Sequence, residues 1–153
     1  KKEIYNEKPF ISKVMHRLNS LLIDRENDRE AAKTIIEAIR YIKNDKASIA
    51  IFPEGTRNKT EQEMLEFKGG AAMMAIKAKA PIIPMAIYKK PRFFRMTHII
   101  IGEPFELSEY YGVKMTEETL AEADGKLYQK ILDLKAEHKR FLDEKKAKKQ
   151  KKA

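Results

Sequence analysis

Apolar positions along the chain fall into two kinds of pattern. Ser20 to Ile23 and Ser48 to Phe52 are short continuous runs, each followed at once by polar or turn-forming residues. Runs of this length read as buried strands. Between them, Ala32, Ile35, Ile36, Ile39 and Ile42 recur at helical spacing, so one face of this segment packs against something. Asn27 and Glu30 have the spacing of a capping box at its start, with Asn in place of the usual Ser or Thr, and Lys43-Asn44-Asp45 closes it. Ile11 to Leu18 predicts a shorter helix after Pro9.

Further on, Pro53 and Gly55 force a turn, and residues 58–68 form a polar loop or short helix. Gly69-Gly70 opens a helix through Ala80 with Ala72, Met73 and Ile76 inward, and Pro81 ends it. Ile82 to Tyr88 is a third strand, interrupted by Pro84, which indicates an edge or bulge. Thr97 to Ile101 is a fourth. Thr116 is placed to cap a long final helix, with Glu117 and Glu118 at its positive end. Its stripe is Leu120, Leu127, Ile131, Leu134 and Phe141, with Gly125 in mid-helix. Strands alternating with helices predict an α/β fold: a central, partly parallel sheet flanked by helices, with a long C-terminal helix. There is no internal repeat and no sign of a second domain.

Charge changes the picture at one end. The net charge is +9, but Lys145 to Ala153 carries six lysines and no acid, which leaves residues 1–144 at only +3. The expected organisation is a domain over residues 1–144 and a lysine-rich tail over 145–153. A polybasic segment is drawn to anionic headgroups by about 1 kcal/mol per lysine near the surface, and also to nucleic acid; a solvated helix end is the plainer alternative. Lys89-Lys90-Pro91-Arg92-Phe93-Phe94-Arg95 sets four cations around two aromatics, which suits a lipid interface or a basic loop whose rings fold inward. The chain has no cysteine, which excludes disulfides, thiolate metal sites and a cysteine nucleophile. It holds no apolar run of about 18 residues that would span a bilayer.

The segment with the most chemical content is Ile51-Phe52-Pro53-Glu54-Gly55-Thr56-Arg57. In open α/β sheets a Gly-containing turn at a strand's carboxyl end is where ligands bind. Arg57 offers a fork of donors suited to phosphate. Glu54 can orient that arginine or accept from a substrate hydroxyl. The alternative is a surface turn with an ordinary ion pair.

Several stretches together carry a family resemblance. Phe52 to Arg57 resembles the third signature block of the 1-acylglycerol-3-phosphate acyltransferases. Leu22-Ile23-Asp24-Arg25 is similar to the second block, and Ala80-Pro81-Ile82-Ile83-Pro84-Met85-Ala86 to the fourth. Phe67-Lys68-Gly69-Gly70 matches the Phe-Lys-x-Gly lead into the intervening helix, and Lys1-Lys2-Glu3-Ile4 resembles a Lys-x-Glu-Leu stretch. Order and spacing agree over roughly residues 1–105. The resemblance implies that Arg57 and Lys1 hold the acceptor's phosphate, with Arg25 in a looser binding role. It implies that Glu54, Gly55 and Thr56 shape the acceptor pocket, with Lys68 a further cation. It also implies the fold of glycerol-phosphate acyltransferases.

The family's first block, His-x4-Asp, should lie before residue 1, and the chain begins at Lys1 rather than at methionine, as a piece of a longer protein would. His16 has no acid at the right spacing, and His98 precedes Glu103, the wrong acid. His138 and Asp143 have the spacing, but on a charged helix their directions differ by about 140°. The catalytic pair is therefore expected outside these residues, and this chain alone is expected to be inactive.

The implied reaction is transfer from an acyl thioester to 1-acyl-sn-glycerol 3-phosphate, giving phosphatidic acid. A histidine base deprotonates the acceptor hydroxyl. No metal or cofactor is expected; the donor is acyl-coenzyme A or acyl-acyl carrier protein. The expected location is peripheral, at the cytoplasmic face of an anionic membrane, without a nucleic-acid partner. A non-catalytic lipid- or phosphate-binding homologue is the second reading. A nucleic-acid binder is the third, and it leaves the Pro-Glu-Gly-Thr-Arg turn unexplained.

Overall fold

Helix α1 spans Pro9–Arg17 and α2 spans Asp28–Lys43. They belong to the first of two compact units, residues 1–51, and the second unit is residues 52–153. This computed structural model describes residues 9–23, 27–87, 94 and 97–150.

In the first unit, the Asn27 side chain accepts from the Glu30 N–H at 3.2 Å, so α2 is capped as its sequence predicts. Thr34 Oγ1 donates to the Leu22 carbonyl at 3.1 Å, which ties the extended segment after α1 to α2. Ala38, outside the predicted stripe, is a buried residue of α2; within the stripe Ile35, Ile39 and Ile42 are half-buried, while Ala32 and Ile36 are exposed.

In the second unit, α3 covers Gly70–Ala78. Strands β1 (Met85–Ile87) and β2 (Ile99–Ile101) pair antiparallel, with Ala86 opposite Ile100. Helix α4 runs from Glu117 to Gln150, so the lysine-rich segment continues as helix to that point. Thr116 Oγ1 accepts from the Thr119 N–H at 3.1 Å and caps α4. A single-turn helix, Ser108–Tyr110, precedes it.

The second unit's core lies along α4. One cluster joins Ala72 and Ile76 of α3 to Leu107, Tyr110 and Ala123. The other joins Met64 and Ala86 to Leu127 and Ile131. Ile82 and Phe105 pack against both and pair through backbone bonds of 2.8 and 2.9 Å. On α3 the buried residues are Ala72, Met74, Ala75 and Ile76, so the inward face is turned by about one residue from the one expected through Met73.

The expected partly parallel central sheet is corrected here. Among the described residues the sheet is two-stranded and antiparallel, and neither Ser20–Ile23 nor Ser48–Phe52 is in a strand. Phe52 is 78% exposed. An apolar run records a preference for burial, but a strand also needs a hydrogen-bonding edge, which the run does not encode. Pro84, lacking an N–H, falls between the Ile82–Phe105 bridge and β1, and its carbonyl accepts from the Gly102 N–H at 2.9 Å. The predicted interruption of that strand is therefore present.

Candidate functional site

Phe52 to Gly55 form a β-turn closed by the Gly55 N–H donating to the Phe52 carbonyl at 3.0 Å. Pro53 pre-sets the second position, and Gly55 adopts a φ of +65°, a backbone region that costs an L side chain about 1–2 kcal/mol.

Two further bonds fix this turn to the segment that leads into α3. The Lys68 N–H donates to the Pro53 carbonyl at 3.1 Å. The Leu65 N–H donates to Glu54 Oε2 at 2.8 Å. A Cβ on Gly55 would meet the Lys68 Cγ at 3.3 Å, so the lysine stem lies directly against the turn. Thr56 and Arg57 follow on the exposed side. Among the described residues no acid pairs with the Arg57 guanidinium.

The loop after Arg57 is folded on itself. Asn58 Oδ1 accepts from both the N–H and the hydroxyl of Thr60 at 2.8 Å, and Asn58 Nδ2 donates to the Gln62 carbonyl at 2.8 Å. Its far end is pinned to α4. Lys135 Nζ sits 3.0 Å from a Glu63 carboxylate oxygen and donates to the Glu63 carbonyl at 3.3 Å. Phe67 meets Tyr128 edge-on at 5.2 Å. The Gly69 N–H donates to Asp124 Oδ2 at 2.5 Å. Burial pushes the Asp124 carboxyl above the ordinary carboxylate range, against the opposing effect of that bond.

Glu54 and Gly55 thus lie in one turn, Thr56 and Arg57 follow it directly, and Lys68 lies beside it. Glu54 is committed to the Leu65 amide, a role its sequence context did not suggest. Lys1 and Arg25 lie outside the described residues, as does the 89–95 loop apart from Phe94. His16 is on the exposed surface of α1. His98 is exposed just before β2, its ring 6.0 Å from that of His138, which stacks on Phe141 at 6.2 Å. Sequence reasoning missed Asp124, although a signal was present. Asp124 stands four residues after Leu120 and three before Leu127, so it is a carboxylate on an apolar stripe.

Comparison with known proteins gives the chain's family. The family model described as Acyltransferase matches residues 1–88, more than half of the chain, and the chain belongs to that family. It is similar to the 1-acyl-sn-glycerol-3-phosphate acyltransferase of Escherichia coli (strain K12), 33% identical over 136 residues, which cover 84% of this chain and 55% of that protein. Against the protein of the same name from Salmonella typhimurium it is 35% identical over 136 residues, covering 84% and 55%. Against the one from Saccharomyces cerevisiae it is 36% identical over 80 residues, covering 52% and 26%. The chain spans about half the length of the first two relatives. No solved structure matches it significantly.

Proposed function

We propose that the chain is the acceptor-binding part of a glycerolipid acyltransferase. The reaction moves an acyl group from an acyl thioester, coenzyme A or acyl carrier protein, to 1-acyl-sn-glycerol 3-phosphate and yields phosphatidic acid. The observation that carries the reading is Arg57: an exposed guanidinium without an acid partner among the described residues, at the end of a turn held by three hydrogen bonds. A planar fork in a fixed frame suits bidentate contact with phosphate. The relatives' names support that acceptor. Lys68 adds a second cation beside the turn, and the family resemblance assigns phosphate contacts to Lys1 and, more loosely, to Arg25.

Holding the phosphate places the acceptor hydroxyl against the thioester carbonyl, so positioning lowers much of the barrier. Proton removal falls to a His-x4-Asp pair of the kind the family resemblance implies. The reaction takes place at the cytoplasmic face of an anionic membrane, reached through the lysine-rich end of α4 and the basic 89–95 segment. Nucleic acid is not the partner.

The test is transfer by the full-length gene product, with labelled 1-acylglycerol 3-phosphate and each thioester donor. Labelled phosphatidic acid that falls sharply with Arg57→Ala supports the reading. Acceptor binding without transfer favours the non-catalytic homologue instead. Transfer indifferent to Arg57 contradicts the assignment of this turn.

A further inference from the structure

The amino end of α3 points donors at its surroundings, as every helix start does. In this protein that end already has an anion. Gly69, the residue before α3, takes a left-handed φ of +72° and gives its N–H to Asp124 Oδ2, from the middle of α4. No side chain of the local sequence caps this helix. The cap is supplied across the fold by a residue 55 positions away.

Asp124 is an unusual choice for that duty. It is 8% exposed, and Oδ1 is buried without a hydrogen-bond partner among the described residues. A carboxylate so placed is costly, and such a group in a folded protein calls for an explanation. Its neighbours on α4 are core residues: Ala123 belongs to one cluster and Leu127 to the other. Asp124 is therefore mounted on the helix that contributes to both core clusters. The segment it grips is also the one that holds the candidate site. Lys68, adjacent to Gly69, bonds the Pro53 carbonyl, and Leu65 bonds Glu54.

We propose that Asp124 is a positioning residue for acceptor binding: by fixing Gly69 to α4 it sets residues 65–69, and through them the Pro53–Arg57 turn, in the place where Arg57 meets the phosphate. This rests on the reading of Arg57 given above.

The experiment measures binding of a short-chain 1-acylglycerol 3-phosphate to the 153-residue chain and its variants, with circular dichroism to confirm folding. Asp124→Leu removes the acceptor while keeping apolar bulk beside Leu120, and Asp124→Asn keeps an acceptor at the same reach. The expected result is a Kd weakened at least about threefold in Asp124→Leu and within about twofold of wild type in Asp124→Asn. The amide resonances of Gly69 and Gly55 should both move in Asp124→Leu, because the displacement is transmitted to the turn. In an Arg57→Ala background, Asp124→Leu should add no further loss. An unchanged Kd in folded Asp124→Leu overturns the proposal, as does a full extra loss in the Arg57→Ala background. If Asp124→Leu does not fold, Asp124→Ala, which also removes the acceptor, takes its place: a weakened Kd with a displaced Gly55 resonance supports the proposal, and an unchanged Kd overturns it. Wild-type affinity in Arg57→Ala alone removes the phosphate reading itself, an outcome distinct from failure of the Asp124 proposal.

Discussion

Glu54 Oε2 accepts the backbone N–H of Leu65 at 2.8 Å, closing the loop that begins with the candidate phosphate-binding turn. A carboxylate that reads as a substrate contact in the sequence is here the fastener of its own turn. Glu54→Ala should lower stability by about 1 kcal/mol, the usual net worth of one such bond at a half-exposed site. Glu54→Gln keeps an acceptor and should retain most of it. Chemical denaturation of the two variants checks the difference.

Gly55 should resist replacement. Its φ of +65° disfavours any Cβ, and the Lys68 stem lies 3.3 Å from where that Cβ would be. Gly55→Ala should cost about 1–2 kcal/mol. Gly55→Asn should cost less, since asparagine tolerates the left-handed region. Thermal unfolding of both variants provides the comparison.

Asp124 should leave a signature in the pH dependence of stability. Its carboxyl has a higher pKa folded than unfolded, owing first to burial. Between the unfolded value of about 3.9 and the raised folded value, the folded protein binds more protons than the unfolded one. Stability from this group therefore falls as pH rises through that window. Asp124→Asn removes the dependence, so its stability relative to wild type should increase from pH 3 upward and then level off. Urea titrations across that range measure it, and a difference independent of pH would contradict the assignment.

Much of the helical framework was legible in the sequence, because capping and periodicity are local. Asn27 and Thr116 cap α2 and α4 where their spacing predicts. The pairing of strands was not legible: Ser48–Phe52 is as apolar as a strand but carries no information about an edge to join. In the site, Pro53 and Gly55 announced the turn, since their backbone preferences are intrinsic. The bonds from Glu54 to Leu65 and from Asp124 to Gly69 span 11 and 55 positions and arise only from tertiary packing.

The 153-residue chain assayed alone should release no thiol above background from an acyl thioester. Loss of a general base alone slows such chemistry by about 10²–10⁴-fold. Robust turnover would direct attention to His138 and Asp143.

Membrane attraction should reside in the lysine-rich end. Deleting residues 145–153 should weaken binding to anionic vesicles most at low salt, because the attraction is screened within about 8–10 Å at physiological ionic strength. Equal binding of the intact chain to neutral and anionic vesicles would exclude this electrostatic account.

The central claim is that Arg57 reads the acceptor's phosphate, and the most direct test is a difference in affinity. Binding of 1-acylglycerol 3-phosphate is compared with that of the same 1-acylglycerol lacking phosphate, for wild type, Arg57→Ala and Arg57→Lys. Wild type should prefer the phosphorylated lipid by at least about tenfold. Arg57→Ala should lose most of that preference, and Arg57→Lys should recover little of it, because a point charge does not reproduce the fork. Undiminished preference for the phosphorylated lipid in Arg57→Ala would contradict the account.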